Sequence, residues 1–439
     1  MIITAHLPTP PRGHGPGAAT GRSGAEFTAA SPGGHAVLSP RSPGGGRFGG
    51  VRVALVAEQF LPHMNGVTHS VLRVLEHLRA GGHDVVVVAP SYAPAPLGGL
   101  VEDVVEDLDG VPVHRLPAVP LTGYPDVRVA GGTVARVRRL LERFRPDVVH
   151  VASPFVLGRR AILAAHQLAV PCVAVYQTDV PGYTAKYGAP FLEQLLWARV
   201  RAMHNLATLT LAPSSAAVGQ LVEHGVRDVR IWRRGVDTVR FCPRHRDEQW
   251  REEVAAGRRI VGYVGRIAPE KQVEDLAAVA DLPGTRLVVV GSGPEEESLR
   301  RRLPGAHFAG FRTGADLARI MASFDVFVHP GEFETFCQTI QEAMASGVPV
   351  VATGRGGPLD LVDSSRTGWL YPPGDLAALR GRVADLVGDD AKRAAFGAAA
   401  HAAVQDRTWH ALGEELLGHY RSAVELSARA RAPRHRRPV

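Results

Sequence analysis

Lysine is nearly missing from this 439-residue chain, in which only Lys186, Lys271 and Lys392 stand among fifty Lys and Arg residues. Arginine serves wherever a generic cation will do, so a retained ammonium at Lys271 points to contact with phosphate, which a compact point charge suits. Cysteine is equally scarce. Cys172, Cys242 and Cys337 form no pair at metal-ligand or redox spacing, and their odd number excludes a closed secreted disulfide framework, so a reducing compartment is expected. No run approaches the ~20 apolar residues of a membrane-spanning helix. The N-terminus also lacks the charged-then-apolar order of a signal peptide. No His, Cys, Asp or Glu cluster has metal-ligand spacing, so neither a metal nor a cofactor is expected.

Net positive charge is missing from the centre of the chain. The formal net charge is +7, of which residues 1–50 carry +3 and residues 431–439 carry +4, leaving residues 51–430 neutral. A nucleic-acid role for the folded part thereby loses its electrostatic support.

What remains is 45% hydrophobic and long enough for two domains with buried cores. Residues 1–50, dominated by Gly, Pro, Ser and Ala, cannot repay the entropy of ordering and read as a disordered leader. At Val51 the character changes. VRVALVAE, DVVVVAP, VPVHRLP, DVVHVAS, VPCVAVYQT and TLTLAPS read as buried strands, separated by amphipathic helices such as TVARVRRLLERF. A polar connection, FCPRHRDEQW, precedes a second alternation through RRIVGYVGRI, RLVVVGSG, DVFVHPGE and VPVVATG. Near-continuous Val, Ile and Leu runs signal parallel sheet buried on both faces. The predicted fold is α/β, with two Rossmann-like doubly wound lobes facing across a cleft where ligands meet the carboxyl ends of the strands. The expected division is a first lobe at 51–238, a second at 239–408, a C-terminal helix at 409–430 and a basic tail at 431–439.

Three segments carry chemistry. VGYVGRIAPEK places Arg266 and Lys271 just past a strand, where a phosphate-bearing ligand would sit. GEFETFCQTIQEAMASGVPVVA follows another strand, with a helix expected to begin near Thr335 and its free N–H groups available to a diphosphate. On one helix the eight-residue step from Glu334 to Glu342 spans ~12 Å, beyond the ~5 to 9.5 Å of a glycosidase pair, and suits two contacts on one extended ligand. PHMNGVTHS supplies a turn at Asn65 and Gly66.

Together these segments resemble the retaining family 4 glycosyltransferases with the GT-B fold, over essentially all of residues 51 to 430. The resemblance implies a catalytic set of Glu334, Arg266 and Lys271, with Arg266 and Lys271 on the donor diphosphate and Glu334 on the sugar hydroxyls. It also implies Glu342 on the ribose, Gly66 in a loop approaching the donor, and Thr335 and Phe336 in the donor-binding segment. AEQFLPHMNGVTHSVLRVLEHL and VYQTDVPGYTAKYG look most like actinobacterial GDP-mannose-dependent α-mannosyltransferases of lipid-linked mannosides. GDP-mannose is then the expected donor, a lipid or glycan the acceptor, and the cytoplasm or the inner face of the plasma membrane the place. Two departures stand out. Gln177, Thr178 and Asp179 replace a common His-Thr pair, and Gln cannot shuttle a proton; Cys337 stands where Gly is common.

Gln177, Asp179 and His150 are candidate acceptor or sugar contacts, with a packed core position the other reading for His150. The sequence offers no nucleophile on the sugar's opposite face, which favours same-face substitution. A same-fold epimerase and a non-catalytic nucleotide-sugar binder remain as rivals. In the helix TVARVRRLLERF, Val134, Val137, Leu140, Leu141 and Phe144 form an apolar stripe beside Arg136, Arg139 and Arg143, which suits either a sheet-covering helix or an anionic membrane surface.

Overall fold

A computed structural model describes residues 50–92, 104–121, 124–152, 154–179, 181 and 193–431. Apart from Gly50 and Arg431, the expected leader and basic tail lie outside the described residues. In chain order the first part contains β1 (Arg52–Ala57), β2 (Asp84–Pro90), β3 (Val104–Leu108) and β4 (Val111–Leu116), then a separate antiparallel pair, β5 (Ala118–Leu121) and β6 (Tyr124–Ala130). It continues with β7 (Val148–Ala152), β8 (Cys172–Val175), β9 (Leu209–Ala212) and β10 (Val229–Ile231). Eight of these form one sheet in the order β10-β9-β8-β7-β1-β2-β4-β3, parallel except where β3 meets β4. That hairpin turns at Asp109 and Gly110, both at positive φ, as a tight Asp-Gly connection requires.

The second part contains β11 (Arg259–Val264), β12 (Thr285–Val290), β13 (His307–Gly310), β14 (Val326–His329), β15 (Val350–Thr353) and β16 (Gly368–Tyr371). They form a fully parallel sheet in the order β13-β12-β11-β14-β15-β16. Both sheets are therefore doubly wound. The strand order reverses between β1 and β7 in the first lobe and between β11 and β14 in the second, which are the crevices where such sheets bind ligands.

Helices cover the sheets through apolar residues at helical spacing. The helix Gly66–Ala80 buries Val71, Val74, Leu75 and Leu78, and the side chain of Asn65 caps its first turn by accepting from the Val67 and Thr68 N–H groups, each at 2.9 Å. The helix Val134–Phe144 spends Val137, Leu140 and Leu141 on the first-lobe core. Its apolar stripe is thus taken by the sheet, which leaves a charged outer face: Arg138, Arg139, Glu142 and Arg143 are exposed and Arg136 is half-buried.

The chain crosses between lobes twice, and the two crossings lie side by side: Val236 bridges Thr408, and its N–H donates to the Arg407 carbonyl at 2.8 Å. After the second crossing, the helix Trp409–Arg431 returns to the first lobe. Leu412, Leu416, Leu417, Tyr420 and Ala423 join β1 and the helix Gly66–Ala80 in one core, and Trp232 Nε1 donates to the Leu412 carbonyl at 2.9 Å. No helix among the described residues is long and apolar enough to cross a membrane.

Candidate functional site

The site is built where β11 and β14 end side by side. Beyond β11 the chain makes a short turn at Pro269–Lys271, and Tyr263, buried at the strand's end, donates from its hydroxyl to the Arg266 carbonyl at 3.0 Å. Arg266 itself projects outward, 55% exposed, with Nη1 3.4 Å from Glu270 Oε1. Beyond β14, Glu334 turns back toward this loop. Lys271 Nζ and His329 Nε2 both meet Glu334 Oε1, the latter at 3.1 Å. Gln272 fastens the same two loops a second time, donating to Glu332 Oε1 at 3.0 Å and accepting from the Glu332 N–H at 2.8 Å.

The electrostatics follow from this packing. Burial alone would raise the Glu334 pKa, but Lys271 and His329 outweigh it and hold the carboxyl down at about 2. Burial alone would lower His329, yet Cys337 and Glu334 raise it to about 9. Near neutrality the site therefore holds a carboxylate between two cations, with both contacts on one oxygen.

The expected helix start shifts. The helix runs over Gln338–Ala345, because Cys337 sits in the left-handed region at φ 75° and Thr335 is engaged elsewhere, its hydroxyl donating to the Gln177 carbonyl at 3.0 Å. Glu334 therefore lies in an irregular segment before the helix, so the eight-residue spacing to Glu342 is not a helical distance. Phe336 is 2% exposed and packs in the second-lobe core, so its side chain does not face the cleft. This segment is held by close backbone approach: the Gly357 N–H donates to the Glu334 carbonyl at 2.7 Å, and a Cβ on Gly357 would fall 2.3 Å from the Phe336 carbonyl oxygen. Glu342 is half-buried on the helix, and burial pushes its carboxyl up to about 8 against the opposing effects of Gln338 and Arg240.

On the first-lobe side, Gly66 starts its helix and Gln177 follows β8. The sequence reading missed the residue that joins them. Arg234, on the first crossing between lobes, donates from Nη2 to Gln177 Oε1 at 2.6 Å and from Nη1 to the Gly66 carbonyl at 3.3 Å. Its only sequence signal is its place in RRGVD, just past β10. The other two first-lobe candidates are differently placed. Asp179 is 8% exposed and accepts from the Tyr176 hydroxyl and from Gln220 Nε2, each at 3.0 Å, so both of its oxygens are engaged. His150 lies in the core, 1% exposed, with Nδ1 2.8 Å from the Tyr420 hydroxyl, and burial lowers its pKa to about 4. The C-terminal helix covers it, so it is not a cleft residue.

This geometry has relatives. The family model described as Glycosyltransferase Family 4 matches residues 64–240, and that described as Glycosyl transferases group 1 matches residues 245–403. The chain belongs to glycosyltransferase family 4. It is 48% identical to a GDP-mannose-dependent alpha-mannosyltransferase of Mycobacterium tuberculosis, over 84% of this chain and 96% of the relative. A protein of the same name from Corynebacterium glutamicum is 43% identical over 86% and 91%. A sulfoquinovosyl transferase of Arabidopsis thaliana is 33% identical over 85% and 74%. Among solved structures, a sucrose-phosphate synthase of Thermosynechococcus elongatus superposes with a TM-score of 0.69 at 21% identity, covering 85% of this chain and 98% of that one. Its two facing Rossmann-like lobes give the glycosyltransferase the GT-B fold.

Proposed function

We propose that this glycosyltransferase moves α-mannose from GDP-mannose to a lipid or glycan acceptor with retention of anomeric configuration. The observation that carries the reading is the Lys271–Glu334–His329 cluster at the second-lobe crevice of a chain 48% identical to an enzyme named for that donor. On this reading Arg266 and Lys271 hold the diphosphate, Glu334 orients the sugar hydroxyls, and Glu342 contacts the ribose. The acceptor oxygen attacks the anomeric carbon on the face from which the diphosphate leaves. The departing phosphate oxygen takes the acceptor's proton while the two cations stabilise its growing charge. Gln177 cannot exchange protons, which agrees with a reaction in which the leaving group is the base. No metal or cofactor enters the scheme.

A cavity of about 180 Å³ beside Gln177, lined by Phe155, Tyr176, Leu196, Val200 and Met203, supports an acceptor with an apolar portion. Contact with an anionic inner membrane face would rest on Arg139 and Arg143, since the apolar stripe beneath them is buried. Changing both to Gln should then weaken binding of residues 51–430 to anionic vesicles at low salt, and unchanged binding would remove that helix from the interface.

The donor is tested by incubating the protein with GDP-mannose, UDP-glucose or UDP-N-acetylglucosamine and following nucleotide diphosphate release. Preference for GDP-mannose is expected. Conversion of donor to an epimer without acceptor would indicate the epimerase reading, and tight binding without turnover the non-catalytic binder.

A further inference from the structure

The two most buried arginines among the described residues, Arg115 and Arg251, have carboxylate partners, as does the half-buried Arg393. Arg115 meets Glu106 at 2.8 Å, Arg251 meets Asp325 at 3.0 Å, and Arg393 meets Asp390 at 2.7 Å. Arg234 differs. Its two hydrogen bonds go to neutral oxygens, the Gly66 carbonyl and the Gln177 side-chain amide, and it makes no ion pair among the described residues. Burial lowers its pKa to about 10, with Glu334 opposing. Arg234 is half-buried, and a partly desolvated guanidinium with no paired carboxylate carries a cost that an entering anion offsets.

The surroundings strengthen the case. His69, on the helix that begins at Gly66, is held at about 4 by burial and by the charges of Arg73, Arg234 and Arg240, which marks positive potential around the glycine loop. The nearby carboxylate, Asp237, is engaged by Arg73 at 3.1 Å and Arg240 at 3.7 Å. A Cβ on Gly66 would stand 3.3 Å from Arg234 Nη1, so the absent side chain gives the guanidinium room against the loop. From the other lobe, Gln341 Nε2 donates to the Arg234 carbonyl at 2.9 Å and Gln338 Nε2 to the Gly235 carbonyl at 3.0 Å, while Thr335 holds the Gln177 carbonyl. The head group thus rests on the first lobe while its backbone is fastened to the helix that follows Glu334.

We propose that Arg234 is a donor-binding residue whose guanidinium, presented by Gln177 and the Gly66 carbonyl, contacts the donor's diphosphate from the side opposite Arg266 and Lys271. Gln177 is then its positioning residue, which gives the amide a use at a place where a histidine is common in the family. The inference rests on the reading of the cleft as a nucleotide-sugar site.

Calorimetric titration of the full chain with GDP, GMP, UDP and UMP tests it, using wild type, Arg234→Lys, Arg234→Gln and Gln177→Ala, with melting temperatures as the check on folding. Arg234→Gln should lose about tenfold or more in affinity for the preferred diphosphate but keep its affinity for the matching monophosphate. Arg234→Lys should fall between, since a point charge keeps the attraction but not the fork. Gln177→Ala should lose about threefold in the same direction, as expected for one neutral hydrogen bond. Equal losses for diphosphate and monophosphate, or an unchanged diphosphate affinity in a folded Arg234→Gln protein, would overturn the assignment. Failure of the wild type to bind either diphosphate would instead bring down the nucleotide-sugar reading on which it stands.

Discussion

Each lobe places a glutamate at the point where its strand order reverses, and the two are treated in opposite ways. In the first lobe Glu58 follows β1 and reaches across to the segment after β7. Its two oxygens accept from the N–H groups of Phe155, Val156, Leu157 and Gly158 at 2.9 to 3.2 Å, closing the N-terminus of the helix Leu157–Gln167. A helix start that could have held an anionic ligand is filled by the protein's own carboxylate. In the second lobe Glu334 follows β14 and is gripped through one oxygen by Lys271 and His329. One carboxylate is consumed by backbone, while the other is held in place by side chains. The two glutamates sit on opposite sides of their crevices, one after β1 and the other after β14, the counterpart of β7. One is a structural anchor and the other, on the proposed reading, a ligand-facing group, and the difference lies in which partners meet the oxygens.

That contrast can be broken by exchange of effects. Glu334→Gln and Lys271→Ala should each cut transfer by a hundredfold or more, about 3 to 4 kcal/mol of transition-state stabilisation. Lys271→Ala should also weaken donor affinity, whereas Glu334→Gln should act mainly on kcat. Near-normal turnover in either, at unchanged melting temperature, would remove that residue from the mechanism. Glu58→Gln should do the reverse, lowering stability by about 2 to 4 kcal/mol in a urea titration with little change in GDP affinity. A stable Glu58→Gln protein that had lost donor binding would collapse the distinction.

A smaller effect should appear with pH. His329 has its pKa raised from 6.5 to about 9, so its contribution to stability is complete below 6.5 and is lost as pH rises through 9. Glu334 has its pKa lowered from 4.5 to about 2, so its contribution is complete above 4.5 and is lost as pH falls through 2. Melting temperature should therefore decline between pH 6.5 and 9.5 in wild type more than in His329→Gln, and parallel curves would contradict the charged histidine. The smallest change expected is at Cys337, whose φ of 75° favours glycine. Cys337→Gly should raise stability by about 1 kcal/mol or less while leaving GDP affinity unchanged. A clear loss of stability would mean that burial of the thiol outweighs the backbone strain.

Much of this was legible beforehand, for identifiable reasons. The central parallel strands are apolar runs buried on both faces, and such runs need no partner to be recognised. The edges were harder. β3 is almost wholly exposed, and β13 and β16 are short and built around Gly and aromatic residues, so their pattern does not separate them from loops. The Asp109-Gly110 hairpin did carry a signal, in its dipeptide, rather than in periodicity.

Sequence alone determined the two-lobe architecture, the loops after β11 and β14, and the residue types at their tips, because each of these is local. Tertiary structure decided what those residues do. It sent His150 into the core beneath Tyr420, closed both oxygens of Asp179, and began the Gln338 helix three residues later than expected. It also brought Arg234 to Gln177 and Gly66 and set His329 against Glu334. The arginine's two contacts span 57 and 168 residues of chain. No periodicity encodes a pairing at that distance, and whether a charged side chain is spent on the fold or left for a ligand is settled by the partners folding brings to it.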